Sequence, residues 1–146
     1  MRRLMLLAFL VLFAGCAAPA KPVAVRGGDT CDHCRRSIQD EKLAAEIVTG
    51  TGMAYKFRTA HCLAQYIAQE RAPDGTMFVT DYKTGRMFKA ERASFVMAVI
   101  DTMTNERDFL AFAGQGEAAN AAKEHSSKVL TWGDVLKTGQ QERLGD

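Results

Sequence analysis

Two stretches of this chain share one order of predicted elements, and that repetition limits the fold more than any other feature of the sequence. Each stretch predicts a strand hairpin, then a helix, then another strand. The first has these ranges: strands 43–48 and 53–57, a helix 60–71 and a strand 77–79. Thr59 can cap that helix, Thr49-Gly50-Thr51-Gly52 suits the hairpin turn, and Pro73-Asp74-Gly75 ends the helix.

The second stretch repeats that order less clearly. Its ranges are a strand 86–90, an element of undecided type 94–100, a strand 109–112, a helix 117–125, a strand 129–130 and a last helical turn 132–136. A chain of 146 residues holds one or two small domains. We therefore predict an α+β domain over residues 31–138 that consists of two similar ββαβ units, about 31–82 and 86–138. Residues 139–146 are expected to form a disordered tail.

The N-terminus has the pattern of a bacterial export signal. Met1-Arg2-Arg3 is a short positive region, and residues 4–14 form an unbroken apolar run that is too short to cross a bilayer as a helix. The run ends at Phe13-Ala14-Gly15-Cys16, and small residues before a cysteine resemble the cleavage site of lipoprotein signals. We predict a lipoprotein signal peptide over residues 1–15 and lipidation of Cys16, with simple secretion as the alternative.

The predicted lipid anchor implies a location and a tether. Ala17 follows the cysteine, and a non-acidic residue there usually directs a bacterial lipoprotein to the outer membrane. We therefore expect a periplasmic protein that is attached to that membrane through its lipid. Residues 16–30 are rich in Ala, Pro, Val and Gly, a composition typical of a flexible tether.

Charge and composition exclude several classes of function. The chain has 19 Lys and Arg against 17 Asp and Glu, and loss of Arg2 and Arg3 with the signal leaves no net charge. A neutral chain lacks the excess of cations with which proteins hold nucleic acid, so no nucleic-acid partner is expected. Neutrality also gives no support to polybasic attachment to a membrane.

Beyond Cys16 the sequence has three cysteines, and an odd number in an exported protein leaves a thiol that is unpaired or bound to metal. Cys31-Asp32-His33-Cys34 is a C-x-x-C motif, but Arg35 stands where covalent c-type haem needs histidine. A thioredoxin-type redox motif would follow a strand, whereas this motif follows the tether. Structural zinc usually takes two such pairs, and the missing ligands would have to come from these residues: His33, His61, Cys62 and His125.

Copper(I) suits the sequence better than these alternatives. The ion is soft, prefers thiolate and thioether sulfur, and accepts two or three ligands. Of the methionines beyond the signal, most suit the filling of a core. Met103 differs because it lies in the polar segment Asp101-Thr102-Met103-Thr104-Asn105-Glu106 without an apolar neighbour. Spacing alone nevertheless gives only a weak prediction of a metal site.

Several motifs together carry a family resemblance. They are the lipobox, the tether, the C-x-x-C motif and four later segments: 57–66 (FRTAHCLAQY), 78–85 (FVTDYKTG), Thr102-Met103 followed by Leu110-Ala111-Phe112, and 129–136 (VLTWGDVL). Together they resemble the NosL family of nitrous-oxide-reductase accessory lipoproteins over nearly the whole mature domain. The resemblance implies a pair of small ββαβ units in a periplasmic lipoprotein that binds copper(I) and delivers it for assembly of the tetranuclear copper site of nitrous oxide reductase.

The resemblance also implies copper ligands. Cys34 matches the second cysteine of the family motif and is the first candidate, Cys31 is the second, and Met103 matches a loop methionine. Family members usually carry Met two residues after the second cysteine, where this chain has Arg36, which cannot ligate copper. His33 is the candidate substitute for that missing thioether.

Three further residues have other expected roles. Cys62, in a predicted helix, is expected to be buried core rather than a ligand, although His61 and Cys62 together would be a usable reserve. His125, near a helix end, is expected to be a surface or cap residue.

The implied function is transfer of copper(I) without catalysis. The expected partners are the membrane, through the lipid anchor, and an apo copper enzyme or its assembly transporter; no small-molecule substrate is expected. Two alternatives stay open at this point. One is a thiol–disulfide redox lipoprotein that uses Cys31 and Cys34, and the other is a NosL-like interaction lipoprotein whose metal site has decayed.

Overall fold

The structure is a computed structural model that describes residues 19–69 and 72–145. The predicted signal peptide over 1–15 and the predicted lipidation of Cys16 lie outside the described residues. Among the described residues, no helix is both long enough and apolar enough to cross a membrane.

The first unit is a four-stranded antiparallel sheet with one helix. Its elements are β1 (Ala45–Thr49), β2 (Ala54–Phe57), α1 (Ala60–Ala68), β3 (Gly75–Thr80) and β4 (Met87–Lys89). The strand order is β2-β1-β3-β4, with Ile47 of β1 opposite Tyr55 of β2 and Met77 of β3. Thr59 accepts a hydrogen bond from the Cys62 N–H and so begins α1, as its sequence position predicts.

The second unit repeats the arrangement with one strand fewer. Its elements are β5 (Ser94–Asp101), β6 (Glu106–Phe112), α2 (Gln115–Glu124), β7 (Val129–Leu130) and α3 (Trp132–Gly145). The order is β6-β5-β7, so the central strand is again the first of the unit. The undecided element over 94–100 is this central strand, because Val96 pairs with Leu110 on one side and Val129 on the other. Two similar ββαβ units in an α+β fold are thereby confirmed.

The position of β4 differs from the sequence prediction. Residues 86–90 were expected to open the second unit, but β4 completes the first sheet, where Phe78 lies opposite Lys89. The turn between β3 and β4 folds the chain back, with the Asp81 N–H donating to the Arg86 carbonyl at 2.9 Å. A short apolar pattern predicts a strand but does not identify its partner, so the pairing was not accessible from the sequence.

The C-terminal segment also differs. Residues 139–146 were expected to be a disordered tail, but α3 continues to Gly145. The helix packs closely on α1, since a Cβ at Gly139 would lie 2.7 Å from the carbonyl carbon of Ala64. Arg143 donates to the carbonyl of Ala68, near the end of α1. Tertiary packing therefore extends a helix for which the local sequence gives little amphipathic signal.

One hydrophobic core joins the two units. Phe95 of β5 contacts Phe109 at 6.3 Å and Trp132 at 5.7 Å between ring centroids. The same cluster includes Phe57 and Leu63 of the first unit, both without exposed surface. Large side chains from both units are therefore buried in one cluster, so each unit helps to cover the other.

The segment predicted as a tether has neither helix nor strand in its described part, but it does not extend freely from the domain. The Val23 N–H donates to Glu46 Oε1 at 2.7 Å, and the Gly27 N–H donates to Glu41 Oε1 at 2.7 Å. Lys56 Nζ donates to the Ala24 carbonyl at 3.1 Å, and Val25 is buried in the core. Backbone groups at three positions of the segment therefore find partners on the domain, which composition alone could not predict.

Candidate metal site

The C-x-x-C motif forms a tight loop that rests on the edge of the first sheet. Thr30 and Ser37 pair as an isolated bridge at its base, and the Cys31 N–H donates to the Arg36 carbonyl at 2.9 Å. The Asp32 N–H donates to the Lys56 carbonyl at 2.8 Å, and Asp32 Oδ2 accepts from the Lys56 N–H at 2.7 Å. These two bonds attach the loop to β2 and turn both of its cysteines toward the start of α1.

The third cysteine comes from α1. Cys62 is the third residue after the cap Thr59, so it lies in the first helical turn, where free backbone N–H groups favour negative charge. Its side chain is almost fully buried, like that of Cys31, whereas Cys34 is half-buried. The loop and the helix end therefore meet at their sulfur atoms.

The three sulfur atoms form a compact group. The Sγ atoms of Cys31, Cys34 and Cys62 all lie within 4.8 Å of one another, and Cys62 Sγ is 3.8 Å from Cys34 Sγ. The thiols are free, without a disulfide among these three residues. Two buried sulfurs and one half-buried sulfur make a site whose opening is at Cys34.

The pKa values of two of these thiols, Cys31 and Cys62, are shifted in opposite directions. The Cys62 thiol lies against both other sulfurs, and its donation to Cys31 lowers the pKa of Cys31. The backbone N–H groups of Cys34, Arg58 and His33 lower the pKa of Cys31 further. The same donation, together with burial, raises the pKa of Cys62. The first thiolate of the cluster is therefore expected at Cys31, and a bound ion has to displace the proton that Cys62 retains.

A network of charged side chains surrounds the start of α1. Arg58 forms an ion pair with Glu106, at the start of β6, and Asp108 is buried with Oδ1 accepting the Phe109 N–H at 2.7 Å. Burial raises the pKa of Asp108, while hydrogen bonds from Thr59 and Phe109 and the nearby charges of His61 and Arg58 oppose that rise. The second unit thus contributes carboxylates to the surroundings of a site that is built by the first.

Of the predicted ligands, the structure groups Cys31 and Cys34. His33 is half-buried in the loop, and the candidate ligand group found among the described residues does not include it. Met103 lies in the turn between β5 and β6, 96% exposed, and Asp101 Oδ1 accepts the N–H groups of Met103 and Thr104. The ligand roles of His33 and Met103 stay predictions.

Cys62 is the residue that the sequence reasoning set aside. It is buried, as expected, but burial places it beside the other two sulfurs instead of excluding it from the site. Two signals pointed to it: the odd number of cysteines, and its position three residues after a helix cap. His61, its expected companion, points to α3, with Nε2 2.8 Å from Glu142 Oε2. His125 is the C-cap of α2, which confirms its expected place at a helix end.

Comparisons with known proteins agree with this architecture. The NosL family model matches residues 22–139. Among solved structures, the copper chaperone NosL from Shewanella denitrificans is similar, with a TM-score of 0.62 and 15% sequence identity over 78% of this chain and 94% of that one. No curated protein sequence matches this chain. At this identity the structural likeness establishes the fold alone.

Proposed function

Because this chain belongs to the NosL family, we propose that it is a copper(I)-binding accessory protein that carries the ion to an apo copper enzyme. The observation that carries the proposal is the group of three sulfur atoms within 4.8 Å of one another. Copper(I) takes two or three thiolate ligands, whereas zinc sites usually need four ligands. The name of the similar Shewanella protein, a copper chaperone, supports the same conclusion.

The burial of the three cysteines suggests how the ion leaves. Cys31 and Cys62 form the buried floor of the site, and the half-buried Cys34 is its accessible side. A ligand of the partner can approach at Cys34 and replace one sulfur at a time, so the ion need not pass through water unbound. Binding displaces the remaining thiol protons and therefore weakens as the pH falls. Met103, a solvent-exposed thioether, is proposed as an accessory ligand during this exchange, and His33 as a second one.

The location of the protein belongs to the same proposal. Lipid on Cys16 would attach the chain to the outer membrane in the periplasm, and the receiving enzyme would be nitrous oxide reductase or its assembly apparatus. Seven residue steps separate Cys16 from Val23, whose N–H is bonded to Glu46 of the domain. An extended chain of that length spans at most about 25 Å. The site would thus be held near the membrane surface, where a membrane-associated partner can reach it.

Metal binding can be tested on the whole chain, purified under reducing, anaerobic conditions and titrated with copper(I) against a chelating probe. We expect about one copper(I) per chain. Cys34→Ser should weaken binding strongly, and Cys16→Ser, which leaves the cluster intact, should bind as the wild type does. A wild-type chain that fails to compete for copper(I) would contradict the proposal.

A second function has one observation in its favour. The 3.8 Å between the Cys34 and Cys62 sulfurs would let this pair close into a disulfide with little movement. A thiol–disulfide protein predicts metal-independent exchange with a small dithiol and a measurable reduction potential. It differs from the earlier expectation in the pair that it uses, since the earlier pair was Cys31 and Cys34. Exchange that persists in Cys31→Ser but not in Cys62→Ser would favour this second function.

A further inference from the structure

Arg58 is placed unusually for a charged residue. It lies between the end of β2 and the cap of α1, and its side chain is only 21% exposed. One terminal nitrogen of the guanidinium pairs with Glu106, but Nε is buried and has no hydrogen-bond partner among the described residues. A buried donor without a partner is uncommon and needs a reason.

The three-cysteine cluster lies next to Arg58 and offers an explanation for its burial. The backbone N–H of Arg58 hydrogen-bonds to Cys31. Burial disfavours the charge on Arg58, but Glu106 outweighs that effect and raises the pKa of Arg58, and the ionised forms of Cys62 and Cys34 act in the same direction. The side chain of Arg58 thus pairs with a carboxylate, while its backbone contacts the cluster at Cys31.

A copper-loaded cluster would carry excess negative charge. Three thiolates around a monovalent cation leave two negative charges, and around a divalent cation they leave one. Two of these sulfurs are buried, and unpaired charge in such a place is costly. Other nearby cations are less suited to compensate it: Arg35 is largely exposed and pairs with Asp32, and Lys56 pairs with Asp29.

We propose that Arg58 is a positioning residue that selects a monovalent ion for the Cys31–Cys34–Cys62 cluster, by holding a fixed positive charge near the thiolates. This inference rests on the proposed function, because it concerns the same three sulfurs. A fixed positive charge stabilises the complex with two excess charges more than the complex with one. Arg58 therefore favours copper(I) over zinc(II) at the same ligands.

Glu106 has the opposite influence. Its carboxylate shares the guanidinium with the cluster, so it weakens the field that Arg58 directs at the sulfurs. Removing that carboxylate should strengthen copper(I) binding, whereas removing Arg58 should weaken it. If the pair served only to hold the β5–β6 hairpin against the first unit, both changes would act in the same direction.

The test compares Arg58→Gln, Arg58→Lys, Glu106→Gln and Arg36→Gln in the full chain, with copper(I) and zinc(II) affinities measured by chelator competition. Arg36→Gln is the matched control, because Arg36 is exposed, lies two residues from Cys34, and loses its charge without gaining a sulfur ligand. We expect Arg58→Gln to lower copper(I) affinity by about tenfold or more and zinc(II) affinity by clearly less. Arg58→Lys should retain most of the preference for copper(I), and Glu106→Gln should raise copper(I) affinity.

Two results would overturn the inference. One is an equal loss for both ions in Arg58→Gln, and the other is a copper(I) affinity that falls in Glu106→Gln as it does in Arg58→Gln. Should Arg58→Gln fail to fold, the sign of the Glu106→Gln effect still decides between the two roles. A wild-type chain that does not bind copper(I) would instead contradict the proposed function, so the two failures are distinguishable.

Discussion

The two units of this protein use the same scaffold for different purposes. In each, the first strand lies inside the sheet, the second strand ends in phenylalanine, and the N-cap of the helix follows two residues later. These residues are Phe57 and Thr59 in the first unit, and Phe112 and Gly114 in the second. Counted from these points, Arg58 corresponds to Ala113, and Cys62 corresponds to Glu117. Both of these residues of the first unit are thus replaced in the second.

The comparison shows that the fold alone does not create the site. A helix N-terminus after a hairpin exists twice, with the same distance between strand and cap. Among the described residues, the candidate metal-binding group lies where the loop with Cys31 and Cys34 crosses the edge of β2 and meets a cysteine in the first helical turn. The scaffold supplies a favourable place for negative charge in both units, and the loop and three side chains decide whether it is used.

The largest effect expected from this comparison is on copper(I) affinity. Cys62→Ala removes one of three thiolates, and we expect a loss of at least about a hundredfold, because even changes around a metal's ligands often cost 10- to 100-fold. X-ray absorption of the copper(I)-loaded chain should show two sulfur neighbours in the variant instead of three. Glu117→Ala, the change at the corresponding position of α2, should leave affinity unaltered. Equal affinity in wild type and Cys62→Ala would show that Cys62 only packs the core.

The position of Cys62 also shows where prediction from sequence ended. The hairpins, α1 and α2 follow from local patterns of apolar residues, caps and turn residues, and those patterns identified both units. The partner of β4, the length of α3 and the grouping of Cys62 with the motif depend on contacts between residues far apart in the chain. A sequence pattern indicates which face of a helix or strand is buried, but it does not indicate which other element packs against that face.

A second effect concerns one strand position at which the first unit has a buried carboxyl and the second unit has a phenylalanine. In the alignment of the two hairpins, Glu46 of β1 corresponds to Phe95 of β5, and both are fully buried. Burial raises the pKa of Glu46 to about 7 from 4.5, against the Val23 N–H and the charge of Lys56. The folded protein therefore keeps a proton that the unfolded chain loses, and stability should fall as the pH rises from about 4.5 to about 7.

Glu46→Gln should remove that fall. The difference in free energy of unfolding between the variant and the wild type should shift in favour of the variant by roughly 2–3 kcal/mol between acid and neutral pH, as the size of the pKa shift implies. Urea unfolding of the metal-free, reduced chain across this pH range would measure it. Glu41→Gln is the control, because the exposed Glu41 also accepts an N–H of the N-terminal segment. Asp108, whose pKa burial also raises, contributes a slope of the same sign in every variant. Parallel curves for Glu46→Gln and wild type would contradict the prediction.

The smallest effects are expected at the N-caps of α1 and α2. Substituting alanine at both caps allows the two helix starts to be compared with the same residue in place. Thr59 is fully buried, accepts the Cys62 N–H at 3.2 Å and hydrogen-bonds to Asp108. Thr59→Ala removes both bonds, and we expect a loss of about 2 kcal/mol in the free energy of unfolding. The variant also frees the start of α1, so copper(I) affinity should fall with stability.

Gly114→Ala should change far less, by at most about 0.5 kcal/mol. Gly114 makes no side-chain cap bond, and its backbone, at φ −98° and ψ 131°, suits alanine. The added methyl group would meet only the end of the flexible Glu117 side chain, which can move away. Urea unfolding of the two variants in the metal-free state would compare them directly. Equal losses would mean that the two helix starts are equivalent after all. A loss of stability confined to Thr59→Ala, together with weaker copper(I) binding, would show that the cap of α1 also positions Cys62, a task that the cap of α2 does not have.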